Sequence, residues 1–235
     1  MPAAISRALL VSGIALIPVL LFGLYRRSLL RLCYSFPIYL VAVWLGDVVL
    51  MGWPERFRNW DFYVAKETFY GGLKLALAVE LAMLAFGRFP GAVATARRAM
   101  LAGLLVTAGT LLLGPPVTRP GLAGIAFALQ PRLANGTVLL LLIVWILVLW
   151  YHVPVHRLHR AIARGLAPYL LLFGNGVTLQ MLGRSGWDVW RLVSLLSASA
   201  YVTMLIYWTW EVWRRVEEPK PSDAVDPLLA WRARL

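Results

Sequence analysis

The chain has a single cysteine, Cys33, so no intrachain disulfide can form and no metal site can be built from several thiolates. Acidic residues are scarce as well: 11 Asp and Glu stand against 23 Lys and Arg, and charged residues make up only 14% of the 235 positions. A water-soluble domain carries a denser charged surface than this. Familiar catalytic motifs are also missing. There is no glycine-rich phosphate loop, no His-Glu-x-x-His, no Gly-x-Ser-x-Gly and no paired-aspartate motif for a diphosphate substrate. These absences argue against an enzyme, and no cofactor can be named from the residues.

Apolar side chains are present in excess. Hydrophobic residues account for 60% of the chain, and the mean hydropathy is +0.72. Lipid is the solvent that accommodates such a composition. The net charge of +12 does not form one basic face; arginines come in clumps between apolar runs. That pattern argues against nucleic acid and for cations that flank membrane spans and meet anionic headgroups.

A spanning helix needs about 20 mainly apolar residues. Seven segments qualify, at about 4–25, 29–53, 66–87, 97–114, 135–155, 160–183 and 188–213. The predicted fold is therefore all-α, a polytopic transmembrane helical bundle of about seven spans over residues 1–215, with a short tail at 216–235. The first segment has one early cation, Arg7, and runs into Arg26 and Arg27 without a small-x-small cleavage site, as a retained span does.

Cation counts in the short loops predict the orientation. Arg26, Arg27 and Arg31 flank the first connection, Arg88, Arg97 and Arg98 the third, and Arg157, Arg160 and Arg164 the fifth. In the second connection Arg56, Arg58 and Lys66 are offset by Glu55, Asp61 and Glu67. The odd connections and the C-terminus are thus expected in the cytoplasm and the N-terminus outside, in a multi-pass protein of a bacterial plasma (inner) membrane. Trp and Tyr near the segment ends, such as Trp53, Trp60, Trp150 and Trp213, fit the headgroup region. Residues 114–134, with Pro115, Pro116, Pro120 and Pro131, read as an external surface loop. The alternative is that Gly121–Leu129 dips back into the bundle as a lid.

Charges inside a span are costly and face protein or water. Asp47 and Lys74 lie about 9 and 12 Å below the outer ends of their helices, so they are expected to pair. With Tyr70, Asn175, Thr178, Arg191 and Ser194 they outline a candidate ligand site open to the outside. The competing reading makes Asp47–Lys74 a structural ion pair and Arg191 a snorkelling interfacial cation. Glu80 follows Gly72 and Ala76 at four-residue spacing, a small-residue stripe that would place it inside the bundle. It is a candidate buried polar or proton-linked residue, on a helix expected to be central. His152, His156 and His159 share one helical face and could ligate a metal, although Pro154 interrupts them and no carboxylate supports them.

Seven helices with the N-terminus outside is the arrangement of rhodopsins and G-protein-coupled receptors, but their motifs are missing. The last helix has no lysine for retinal and no Asn-Pro-x-x-Tyr, and helix 3 ends in Phe86-Gly87-Arg88. The run from Phe69-Tyr70 through Glu80 to Arg88-Phe89-Pro90 resembles bacterial seven-helix integral membrane proteins of uncharacterised activity. The resemblance covers helices 2–4 and implies a receptor-like topology and no particular chemistry. The leading expectation is a receptor-like or sensory protein that binds a small molecule and signals through partner membrane proteins. The alternatives are an accessory or scaffold subunit of a larger membrane complex and a small-solute transporter.

Overall fold

The computed structural model describes residues 2–86, 98, 101, 105, 109, 121–150, 155–181 and 187–214. Among these residues the chain is all-helical. The helices are α1 (Pro2–Arg26), α2 (Ser35–Gly52), α3 (Pro54–Phe57), α4 (Trp60–Phe86), α5 (Leu122–Trp150), α6 (Arg157–Met181) and α7 (Trp187–Trp213). A single 3-10 turn, Leu29–Leu32, follows Ser28, which turns the chain in the left-handed region at φ 56°. Five helices contain stretches long and apolar enough to cross a membrane: Arg7–Arg26, Ser35–Gly52, Trp60–Ala85, Gly124–Trp150 and Arg191–Trp213. The sixth long helix, α6, has 25 residues but carries Arg157, Arg160 and Arg164 in its first turns.

Local signals explain several boundaries. Pro54 opens α3, where its missing N–H is no loss. The Asn59 side chain accepts the Phe62 N–H at 2.8 Å and starts α4 six residues before the predicted edge at 66. The largest departure is α5. Residues 122–134, expected as a loop because of the prolines, are its first turns, with Pro131 inside the helix. Packing overrides the proline there. Phe127 lies 4.8 Å from Trp60, Thr68 donates to the Ala126 carbonyl at 3.4 Å, and Leu133 sits against Gly71. At 29 residues α5 is about 44 Å long, more than the hydrocarbon thickness. The predicted fourth span, 97–114, falls outside the described residues, apart from helical positions 98, 101, 105 and 109. So does the tail at 216–235.

The six long helices neighbour one another in a closed order, α1–α2–α4–α5–α6–α7, with α7 back against α1. Contacts fix their directions. Gly13 faces Tyr201 and Gly23 faces Val212 and Trp213, so α1 and α7 run parallel. Thr68 meets Ala126, and Ala82 and Ala85 cluster with Val144 and Val148, so α4 and α5 also run parallel. The chain therefore leaves α4 at one end of the bundle and re-enters α5 at the other. It likewise begins α1 and finishes α7 at opposite ends.

α4 is a member of this ring and not a helix enclosed on all sides. Leu77, Ala78, Leu81 and Ala82 are buried, whereas Phe69 and Met83 are 59% and 57% exposed. The Gly72–Ala76 stripe also faces outward, and a Cβ at Gly72 would meet nothing within 4 Å among the described residues. A close helix approach lies elsewhere, at Gly165 of α6. Trp208 of α7 fills the notch there, donating its indole N–H to the Ala161 carbonyl at 3.1 Å and meeting Phe36 of α2 edge-on at 5.0 Å. A Cβ on Gly165 would come within 2.5 Å of Trp208 Nε1. Gly165→Ala should displace that ring and lower stability by about 1–3 kcal/mol, as overpacking does, read as a fall in the thermal midpoint in detergent.

Candidate functional site

Polar side chains gather at the two ends of the bundle, with opposite character. At the α2 C-terminal end, Lys66 Nζ lies 3.8 Å from Asp47 Oδ1 and 3.2 Å from Glu67 Oε1. Asp47 thus pairs with Lys66, two turns nearer the end of the bundle than the expected Lys74. Depth alone suggested the Asp47–Lys74 pair; the rotation of α4 about its axis decides against it. Tyr70 packs under Lys66, its ring centroid 5.3 Å from Nζ, and its hydroxyl donates to the Ala42 and Val43 carbonyls at 3.1 and 3.3 Å. Gly46 makes this approach feasible, since a Cβ there would overlap the Tyr70 hydroxyl.

Lys74 points the other way, into the bundle, and is 3% exposed. Its ammonium has no carboxylate partner among the described residues. Three rings surround it instead, with centroids at 5.0 Å for Phe173, 5.2 Å for Tyr169 and 6.0 Å for Tyr39. Beside it, between α4, α5 and α6, is a cavity of about 10 Å³ lined by Lys74, Glu67, Gly71, Gln130, Thr137 and Phe173, among others. That is room for about one water. Gln130 is 3% exposed, and neither its amide nitrogen nor its carbonyl oxygen has a hydrogen-bond partner among the described residues. The Tyr201 hydroxyl, on the far side of Tyr169 at a ring distance of 5.7 Å, is buried without one too.

Of the other predicted ligand residues, Asn175 and Thr178 are exposed, each bonded to its own helix at 2.8 Å through Leu171 O and Gly174 O. Arg191 is exposed and Ser194 half-buried on α7. None of these four lines the cavity. Gln130, Glu67, Tyr169 and Phe173 were not singled out from the sequence. Gln130 sits beside Pro131 in a stretch that reads as loop, and only a continuous helix puts 130, 134 and 137 on one face.

At the opposite end, where α1 and α7 finish, the polar groups are matched. Glu80 accepts the Tyr34 and Ser35 N–H groups, both at 2.7 Å, and the Cys33 thiol at 3.4 Å. It caps α2 from a neighbouring helix, serving the first-turn donors that α2 cannot bond itself. Arg157 Nη2 reaches Glu211 Oε2 at 2.6 Å, tying α6 to α7. His156 begins α6, its Nδ1 accepting the Leu158 N–H at 3.1 Å, and His159 Nε2 donates to the Leu32 carbonyl at 3.1 Å. His152 lies outside the described residues, and among those described no three His, Cys, Asp or Glu side chains converge on a metal position. In comparison with known proteins, no family model, curated protein or solved structure matches this chain.

Cys33 is 1% exposed, and burial followed by the neighbouring Glu80 charge pushes its thiol up to about 12. It therefore stays protonated and slow toward maleimide at neutral pH. Glu80→Ala would orphan two backbone donors and lower stability by about 2 kcal/mol. The same change should speed maleimide labelling of Cys33, which labels measured on folded protein would reveal.

Proposed function

We propose that the chain is a receptor-like or sensory membrane bundle that crosses the bilayer seven times, binds its ligand at the chamber around Lys74 and signals through partner membrane proteins. The observation that carries this reading is the buried ammonium of Lys74 beside the unsatisfied Gln130 amide. Holding an ammonium away from water costs several kcal/mol without a close counter-charge, whereas aromatic faces return about 2 kcal/mol when desolvated. A group kept at such a deficit is explained by what it binds, and buried polar groups at sites of function are commonly a burden on stability. The resting cavity holds about one water, so a larger ligand requires the α4–α6 walls to part.

The crossing count and an inner-membrane orientation with the N-terminus outside belong to the same reading. They are supported by the opposite ends at which α1 begins and α7 finishes. Arg26, Arg27, Arg157 and Arg214 gather at the second of these ends, as the cytoplasmic side of a bacterial membrane protein requires. Cysteine tags at the two termini should label from opposite faces of sealed vesicles; labelling from one face would rule out an odd number of crossings. The resemblance to bacterial seven-helix proteins agrees with this topology.

An accessory or scaffold subunit is the second reading, favoured by the smallness of the cavity. Lys74→Met separates the two. If Lys74 is retained for a ligand, the apolar side chain of similar length should raise stability by about 1–4 kcal/mol. That is a midpoint several degrees higher for a protein of this size. A lowered midpoint would make Lys74 a packing residue and sink the ligand reading.

A further inference from the structure

The seam where α1 and α7 finish side by side contains a recess. Gly23 creates it. With no side chain at this position, α7 presses onto α1: a Cβ at Gly23 would lie 2.8 Å from Trp213 Nε1 and 2.9 Å from Val212 Cγ1. Trp213 is held there by its N–H to the Val19 carbonyl at 3.3 Å and by the Phe22 ring at 6.2 Å. Arg27 reaches across the seam, donating to the Arg214 carbonyl at 2.9 Å and the Trp213 carbonyl at 2.6 Å. Those are carbonyls at the end of α7, and the guanidinium neutralises the negative end of the helix dipole that would otherwise repel an anion.

What remains is an opening of about 260 Å³ lined by Gly23, Arg26, Arg27 and Trp213. Two guanidinium groups and an indole face it, and among the described residues no carboxylate lines it. The nearby Glu211 is turned to Arg157 on α6. The flank of the recess is apolar and exposed, with Phe22 at 57%, Val19 at 46% and Trp210 at 55%. Charge at the mouth and an apolar face running away from it along the helices match a molecule that is anionic at one end and hydrocarbon at the other.

We infer that this recess seats the phosphate of an anionic phospholipid headgroup, with the lipid chains lying along Val19 and Phe22. Arg26 supplies the free guanidinium for the phosphate, in the planar fork geometry that suits it. Arg27, spent on the α7 carbonyls, sets the positive background. A free phosphate ion shares the charged part of this chemistry but has no use for the apolar flank.

The test uses the full chain in mild detergent, titrated with phosphatidylglycerol or phosphatidylcholine, and reads lipid adducts by native mass spectrometry beside the thermal midpoint. Phosphatidylglycerol should bind in preference to phosphatidylcholine and raise the midpoint. Arg26→Gln should weaken that binding about fivefold, the effect of one basic residue near an anionic lipid. Arg26→Lys should retain most of it, and Arg58→Gln, at the other end of the bundle, should change nothing. Equal binding of the two lipids overturns the proposal, and so does an equal loss in Arg58→Gln, which would mean a general effect of charge. If inorganic phosphate raises the midpoint as much as the lipid does, the lipid source is overturned. Midpoints in phosphatidylcholine show whether each variant is folded, so a loss of binding cannot be confused with unfolding.

Discussion

Trp208 is the largest fully buried side chain among the described residues, and its seat in the notch at Gly165 brings three helices to a common point. The ring meets α2 through Phe36, its N–H is satisfied by α6 at Ala161, and its backbone belongs to α7. Only with α6 and α7 this close can Arg157 reach Glu211, and only with α2 beside α4 and α6 facing it across the bundle do Tyr39, Tyr169 and Phe173 enclose Lys74. The cage is thus a consequence of how the ring of helices closes. A shift of α6 away from α2 would remove two of its three walls.

The cation-rich end and the middle of the bundle solve the same problem differently. A polar group removed from water must find a partner within the chain, and near lipid few other partners exist. At the cation-rich end three strong polar groups have one: Glu80 on the start of α2, Arg27 on the end of α7, Arg157 on Glu211. These contacts join elements distant in sequence and hold the ends of the helices in register. In the middle of the bundle Gln130, Lys74 and the Tyr201 hydroxyl are buried with less than their full complement of partners among the described residues. Water entering such a chamber would break few existing bonds.

Much of the architecture was legible in the amino-acid sequence. Apolar runs of membrane length located α1, α2, α4, α6 and α7 closely, because the requirement acts on composition and needs no knowledge of neighbours. Proline misled the reading of residues 122–134. Its local effect is to break helices, yet Trp60, Thr68 and Gly71 of α4 supply enough contact to carry α5 through Pro131. The small stripe Gly72–Ala76 misled in the opposite sense, since spacing identifies a face but not what that face meets.

The candidate site divides along the same line. The sequence by itself singled out Asp47, Lys74 and Glu80 as charges within apolar runs, because the cost of charge in lipid follows from solvation. Which group shelters which was left to the tertiary structure. A helix may turn about its own axis without changing a single depth, and only packing against its neighbours fixes that angle. That rotation gave Asp47 to Lys66, Glu80 to the start of α2, and Lys74 to three aromatic rings and the unpaired amide of Gln130.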